Sequence, residues 1–314
     1  MGQTSPLLVI AGPTGVGKTA AAVALGARLP IEVVSADSRQ VYRGMDVATG
    51  KPTAEERAAV AHHVIDVVDP DDTYDAARFA RDARAAIEAI RTRGRLPVVV
   101  GGTGFYIRAL LRGLDPAAPA DPVFRAELAA IAARQGRQVL HARLAQAAPT
   151  VARRLHPNDH VRVIRALELV RAGGPGGAAQ TRWREPAADP DVVYVALTLD
   201  RARLDERLRR RAAAMVDAGL EDEVRGLLAR GYAPTLPAMQ GIGYREFARV
   251  VAGELARDEA LRLMQRDTLR YARRQWTWFA REPAQWIDVE SVQGGAAGVA
   301  GAIVATLEQE GRSG

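Results

Sequence analysis

Residues Gly12-Pro13-Thr14-Gly15-Val16-Gly17-Lys18-Thr19 follow the spacing G-x-x-x-x-G-K-[ST], a device for holding phosphate. Glycines let the backbone wrap an anion, and the amides of the following helix point at it. Lys18 adds a point charge, and Thr19 offers a hydroxyl to a magnesium ion. Two linked phosphates are enough to fill such a loop, so ATP and any organic diphosphate fit. Asp37 follows the strand-like stretch 31–36, where it either caps a helix or faces the crevice beyond the strand ends that also holds Lys18. Arg203, Arg207 and Arg211 recur every fourth residue and stack three guanidinium groups on one helix face, a row that suits either an anion or solvent. Where many ATP hydrolases end a strand in an acidic magnesium ligand, this chain has Gly101-Gly102-Thr103-Gly104, which argues against an ordinary ATPase and leaves room for a bulky group near the backbone. His62 and His63 point to opposite faces of an extended chain, which favours polar or structural contacts over a shared metal.

The elements that must position these residues alternate between strand and helix. Residues 7–10, 31–36, 64–68, 96–100, 191–197 and 285–289 read as strands, the first and fourth as buried parallel ones. Residues 19–25, 75–93, 201–218, 221–230 and 266–280 read as helices. The helix at 75–93 buries Phe79, Ala83, Ile87 and Ile90, and that at 201–218 buries Leu204, Leu208 and Met215. Trp276, Trp278 and Phe279 at helical spacing favour core packing over stacking on bases. This is an α/β pattern, a P-loop NTPase-like parallel sheet flanked by helices. Its texture changes at 116–190, which Pro116, Pro119 and Pro122 open, and helices at 124–134, 137–147 and 160–169 with a glycine loop at 173–177 mark a small inserted helical domain. Residues 1–115 and 191–314 form the core domain around it.

Composition bounds the rest. A chain of 314 residues with 48% hydrophobic content can bury a large core. Cysteine is absent, which removes disulfides, thiolate nucleophiles and cysteine-held zinc and fits a reducing cytoplasm. No signal-like segment and no apolar run of spanning length is present, so a soluble cytoplasmic protein without a membrane partner is expected. The net charge of +6, carried almost wholly by arginine, leaves nucleic-acid binding an open alternative to solvated helix faces. Nothing points to an obligate partner, and a monomer is expected.

Taken in order along the chain, several segments resemble the tRNA dimethylallyltransferase family in its bacterial form. They are the loop at 12–19, Asp37-Ser38-Arg39-Gln40-Val41-Tyr42-Arg43-Gly44-Met45-Asp46, His62-His63-Val64-Ile65-Asp66, Gly101-Gly102-Thr103, residues 162–168, Gly241-Ile242-Gly243-Tyr244-Arg245, and Arg273-Arg274-Gln275-Trp276-Thr277-Trp278. The resemblance implies transfer of a dimethylallyl group from its diphosphate to N6 of the adenosine 3′ of the anticodon. Diphosphate would be held by Gly12, Pro13, Thr14, Gly15, Val16, Gly17, Lys18 and Thr19 with Mg2+ on Thr19. Asp37, Thr103 and Arg211 would be catalytic, with Arg207 in reserve for Arg211. The tRNA anticodon stem-loop would meet Asp37, Ser38, Arg39, Gln40, Thr103 and Arg125, then Val161, Arg162, Val163, Ile164 and Arg165, and Gln240, Gly241, Ile242, Gly243, Tyr244 and Arg245, with the inserted domain gripping the stem. Residues 172–181 depart from the family's short Thr-Gly segment. The rival reading is a P-loop small-molecule kinase using ATP.

Overall fold

The computed structural model describes residues 6–114, 121–173 and 192–313, with side chains through 310. In chain order its elements are β1 (Leu7–Ala11), α1 (Lys18–Gly26), β2 (Ile31–Ser35), α2 (Ala54–Ala59), β3 (His62–His63), α3 (Ala76–Thr92), β4 (Leu96–Gly101) and α4 (Gly104–Arg112). There follow α5 (Pro122–Gln135), α6 (Gln138–Ala147), α7 (Pro149–Ala152) and α8 (His160–Arg171). The chain then runs through β5 (Val192–Thr198), α9 (Arg201–Asp217), α10 (Leu220–Ala229), α11 (Tyr244–Val251), α12 (Arg257–Phe279), β6 (Gln285–Asp288) and α13 (Gly295–Ser313).

Two compact units result, one of Met1–Leu111 with Ala188–Gly314, the other of Arg112–Ala187. The larger contains a six-stranded sheet in the order β3-β2-β4-β1-β5-β6, every pair parallel. Every residue of β1 and β2 is buried, as a parallel sheet covered on both faces requires. Leu8, Ile10, Val98, Val195 and Leu25 join one core with α9, α12 and α13 residues Leu208, Ala272 and Ile303. Because the strands run the same way, β1, β2 and β4 all deliver their carboxyl ends to one edge, and the loops after them converge there.

The smaller unit has its own core, made by Leu128, Leu140, Leu144, Val151, Leu155, Val163 and Leu167. Asp121 and Asp159 cap α5 and α8 through the amides of Phe124 and Arg162, which explains where those helices start.

Three expectations need correction. Residues 64–68 are not a strand; the short β3 lies at His62–His63, and Val64 and Asp66 then take φ of 62° and 57°. Met215 is only half-buried, and the stripe of α9 runs through Leu204, Leu208, Ala212 and Val216. Trp276 is 51% exposed and tilts against Trp286, whereas Phe279 is in the core. Most of the glycine-rich segment at 172–181 lies outside the described residues.

Candidate functional site: two joined cavities at the strand ends

The loop after β1 passes through Gly17 as N-cap into α1, so Lys18 and Thr19 open the first turn. Lys18 Nζ donates to the carbonyls of Gly12 and Pro13, both at 2.9 Å, and is thereby held across its own loop. Burial pushes its pKa down to about 8; Asp37 opposes that shift and Arg211 adds to it. Burial also works against the charge of Arg211, with Asp37 partly offsetting it and Arg207 reinforcing it. A half-desolvated cation pair of this sort is stabilised by an anion between its members.

Asp37 sits two residues beyond β2. Its Oδ1 accepts from the amides of Arg39, at 2.8 Å, and Gln40, at 3.4 Å. The helix-cap reading of Asp37 is corrected and the crevice reading holds: no helix starts there, the carboxylate caps only a turn, and it lines the cavity. Thr103 stands just behind it, its Oγ1 accepting the Ser38 amide at 3.0 Å.

These groups surround a cavity of about 1190 Å³ lined by Lys18, Thr19, Asp37, Gln40, Arg207 and Arg211. A second cavity of about 500 Å³ is lined by Ser38, Arg39, Gln240, Tyr244, Arg245 and Tyr271. Thr14, Asp37, Thr49, Arg211 and Met215 belong to both walls, so the two spaces meet between the phosphate loop and the carboxylate. Gly241 and Ile242 also line the smaller space. Gly12, Pro13 and Val16 lie buried beneath the loop, and Gly243 forms the N-cap of α11. Arg203 is elsewhere, 4.0 Å from Glu290.

In the smaller unit two of the expected RNA-facing residues, Arg125 and Arg165, share one anchor. Glu168, 4% exposed, accepts from Arg125 Nε at 2.7 Å and Nη2 at 2.9 Å, and from Arg165 Nη1 at 3.2 Å. Burial alone would raise its pKa, but Arg125, the Asp121 amide and Arg165 outweigh burial and hold the carboxyl below its usual value. Val161 is 81% exposed, Arg162 pairs with Asp159 at 3.0 Å, and Ile164 is half-buried. Val163, an expected RNA contact, is instead fully buried in the core of the smaller unit, because it lies on the inward face of α8.

Sequence reasoning missed several residues. Tyr271 of α12 lines the smaller cavity beside Asp37, and burial pushes its pKa up to about 12, with Asp37 adding to the shift. Glu223 accepts from the amides of Asp46 and Val47, at 2.9 and 3.0 Å, and from the Tyr244 hydroxyl at 2.6 Å. It thus ties the loop over the larger cavity to α11. Lys51 places its ammonium against Tyr42 O at 2.6 Å, Asp46 Oδ1 at 2.6 Å and Asp66 Oδ1 at 2.5 Å. A signal for Lys51 existed: Lys18 and Lys51 are the two lysines in a chain with 43 Lys plus Arg, so they mark places where a guanidinium does not substitute.

Comparison with known proteins supplies the chemistry of relatives. A model of the IPP transferase family matches residues 40–282, and a model of isopentenyl transferase matches residues 5–67. The tRNA dimethylallyltransferase of Anaeromyxobacter dehalogenans (strain 2CP-C) is 52% identical over 258 residues, covering 82% of this chain and 85% of its own length. The tRNA dimethylallyltransferase 1 of Syntrophotalea carbinolica is 49% identical over 260 residues, 82% of this chain and 83% of its own. Among solved structures, the full-length tRNA isopentenylpyrophosphate transferase of Bacillus halodurans superimposes with a TM-score of 0.69 at 37% identity, covering 98% of both chains. A eukaryotic dimethylallyltransferase solved acting on tRNA gives 0.73 at 27% identity over 90% of this chain and 74% of its own.

Proposed function

Because the chain belongs to the IPP transferase family, we propose that its joined cavities receive dimethylallyl diphosphate on the phosphate-loop side and an adenine of tRNA on the Asp37 side. The protein is a tRNA dimethylallyltransferase: it transfers the dimethylallyl group to N6 of the adenosine 3′-adjacent to the anticodon and releases diphosphate. The observation that carries this reading is the shared wall: Asp37 and Arg211 border both spaces, with Lys18 opening on the larger. A kinase working through the same loop has the family against it.

The residues divide the chemistry as follows. When the allylic C–O bond breaks, negative charge grows on the diphosphate; Lys18, the amides of residues 15–19 and Arg211 would stabilise it most where the charge is greatest. The adenine N6 lone pair forms the new C–N bond, and the nitrogen must lose a proton. Asp37, across the junction, would accept it. The base must first leave the stacked anticodon loop at a cost of a few kcal/mol, and the smaller cavity between Arg39, Tyr244 and Tyr271 is the space that would receive it. Arg125, Arg165 and the exposed face of α8 would contact the stem backbone.

Mg2+ fits this donor set as an ion carried by the diphosphate. Among the described residues no group of three or more His, Cys, Asp or Glu could hold a metal, whereas Thr19 lines the larger cavity with its hydroxyl. Magnesium commonly uses one or two protein ligands with phosphate oxygens and water. Bound there, it would neutralise charge on the leaving group. Among the described residues no helix is long and apolar enough to cross a membrane.

Incubating the protein with unmodified tRNA and dimethylallyl diphosphate, then resolving the nucleosides by mass spectrometry, tests the proposal. A dimethylallyl adenosine at the position after the anticodon is expected; incorporation of phosphate from ATP instead would overturn it.

A further inference from the structure

Parallel strands β1 and β4 pair as far as Ala11 opposite Gly101, and then part. One continues into the phosphate loop, the other into the turn that carries Thr103. The distance between these two exits fixes how the donor loop stands relative to the acceptor side.

A side chain from a distant helix carries the ladder one step further. Gln275 on α12 is 6% exposed, and both ends of its carboxamide are used. Its Oε1 accepts from the Thr14 amide at 2.8 Å, and its Nε2 donates to the Gly102 carbonyl at 2.7 Å. A carboxamide carries the same acceptor and donor as a peptide group, so Gln275 stands in for a missing backbone rung between the two strand extensions. Gly102 is shaped to admit it: a Cβ there would fall 2.3 Å from Nε2. The turn that follows Gly102 carries Thr103, whose hydroxyl oxygen accepts the Ser38 amide at 3.0 Å beside Asp37.

We propose that Gln275 is a positioning residue for the transfer, a carboxamide rung that sets the phosphate loop against the Thr103 turn and so sets the gap between leaving diphosphate and accepting nitrogen. It touches neither reactant. The inference rests on the transferase reading for its kinetic consequence, but not for the brace itself. No other natural side chain repeats the bond pair: Asn is one methylene short, and Glu accepts from Thr14 but cannot donate to Gly102. A misplacement of about 1 Å between reacting groups costs on the order of 10²-fold in rate.

The test compares wild type with Gln275→Met, which keeps the volume, and Gln275→Glu, which keeps the acceptor. Expected is a kcat lowered about 30- to 100-fold in both, with KM for dimethylallyl diphosphate and for tRNA each within about threefold of wild type. Amide hydrogen exchange of the peptide containing Thr14 should quicken at least tenfold in Gln275→Met while peptides of β1 and α1 keep their rates. That exchange readout stands even if wild type transfers nothing, a result that would sink the substrate assignment instead. Unchanged Thr14 exchange in a folded variant, a kcat within threefold of wild type, or a loss of kcat matched by equal rises in both KM values would overturn the proposal.

Discussion

The guanidinium of Arg211 lies against the backbone of Gly50, so close that a Cβ on Gly50 would fall 1.9 Å from Nη2. Gly50 also takes φ +58°, and Gln40 Nε2 holds its carbonyl at 3.1 Å. The loop roofing the larger cavity is thus fitted to the arginine of α9. Gly50→Ala should push Arg211 from the junction and strain the turn together. The expected loss in kcat/KM for dimethylallyl diphosphate is about 10²- to 10³-fold, near that of Arg211→Ala, since one transition-state donor is removed in each. Steady-state kinetics on both variants checks it; a Gly50→Ala enzyme of near wild-type activity would show that Arg211 works from another position.

Asp37 combines a cap with a proposed base, and asparagine separates them. Asp37→Asn retains an oxygen for the amides of Arg39 and Gln40 but gives up the charge. Turnover should fall about 10²- to 10⁴-fold, the range for a lost general base, while tRNA affinity stays within a few-fold. Asp37→Ala should lose turnover in the same range. Single-turnover transfer and filter binding measure the two quantities; a full-speed Asp37→Asn enzyme would move the proton acceptor elsewhere.

Lys18 links binding to pH. With its pKa lowered to about 8 from 10.5, it is charged below pH 8 and neutral above. The diphosphate prefers the charged form, so KM for dimethylallyl diphosphate should be flat below pH 8 and rise toward tenfold per unit above it. The folding term has the opposite sense: the unfolded chain binds more protons between pH 8 and 10.5, so this group's contribution to stability increases across that window. A KM profile from about pH 6.5 to 9.5 decides the binding claim, which fails if KM is level throughout.

The sequence read correctly wherever local pattern and tertiary role agreed. The turn from β1 into α1, the strand before Gly101 and the helices α3 and α8 need only neighbours in the chain. The stretch at 64–68 failed for the opposite reason. Its valines suit a strand, but Asp66 is drawn to Lys51 and, at 3.0 Å, to Arg57, partners that lie 15 and 9 residues away. Met215 broke the helical stripe because it borders ligand space instead of core. Gln275 was visible only as part of a resembling segment, and its role was not legible because its partners, Thr14 and Gly102, follow strands from the opposite half of the chain.

Lys51 is a stability prediction. Its side chain is 2% exposed and faces Asp46, Asp66 and the Tyr42 carbonyl, while Asp66 is 33% exposed. Lys51→Met leaves those oxygens without their cation. Breaking a fully buried pair costs about 3–5 kcal/mol; discounting for the exposed carboxylates, about 2–3 kcal/mol is expected here. Lys51→Arg should recover little, because a planar fork does not match three oxygens arranged around an ammonium. Denaturant unfolding measures both, and an arginine variant as stable as wild type would refute the geometric part.

Arg165 tests the smaller unit's part in RNA binding. Glu168 pairs with it at 3.2 Å and, through two bonds, with Arg125, so the buried carboxylate presents two guanidinium groups from different helices. A phosphate contact by Arg165 would add one released counterion to binding. Arg165→Ala should therefore weaken tRNA affinity and reduce the slope of log K against log salt by about 1. Glu168→Ala should do more, since it frees both arginines from their anchor and leaves the Asp121 amide without its acceptor at 2.9 Å. Binding isotherms at several salt concentrations give the slope directly. An Arg165→Ala protein with wild-type affinity and wild-type slope would remove α8 from the RNA surface.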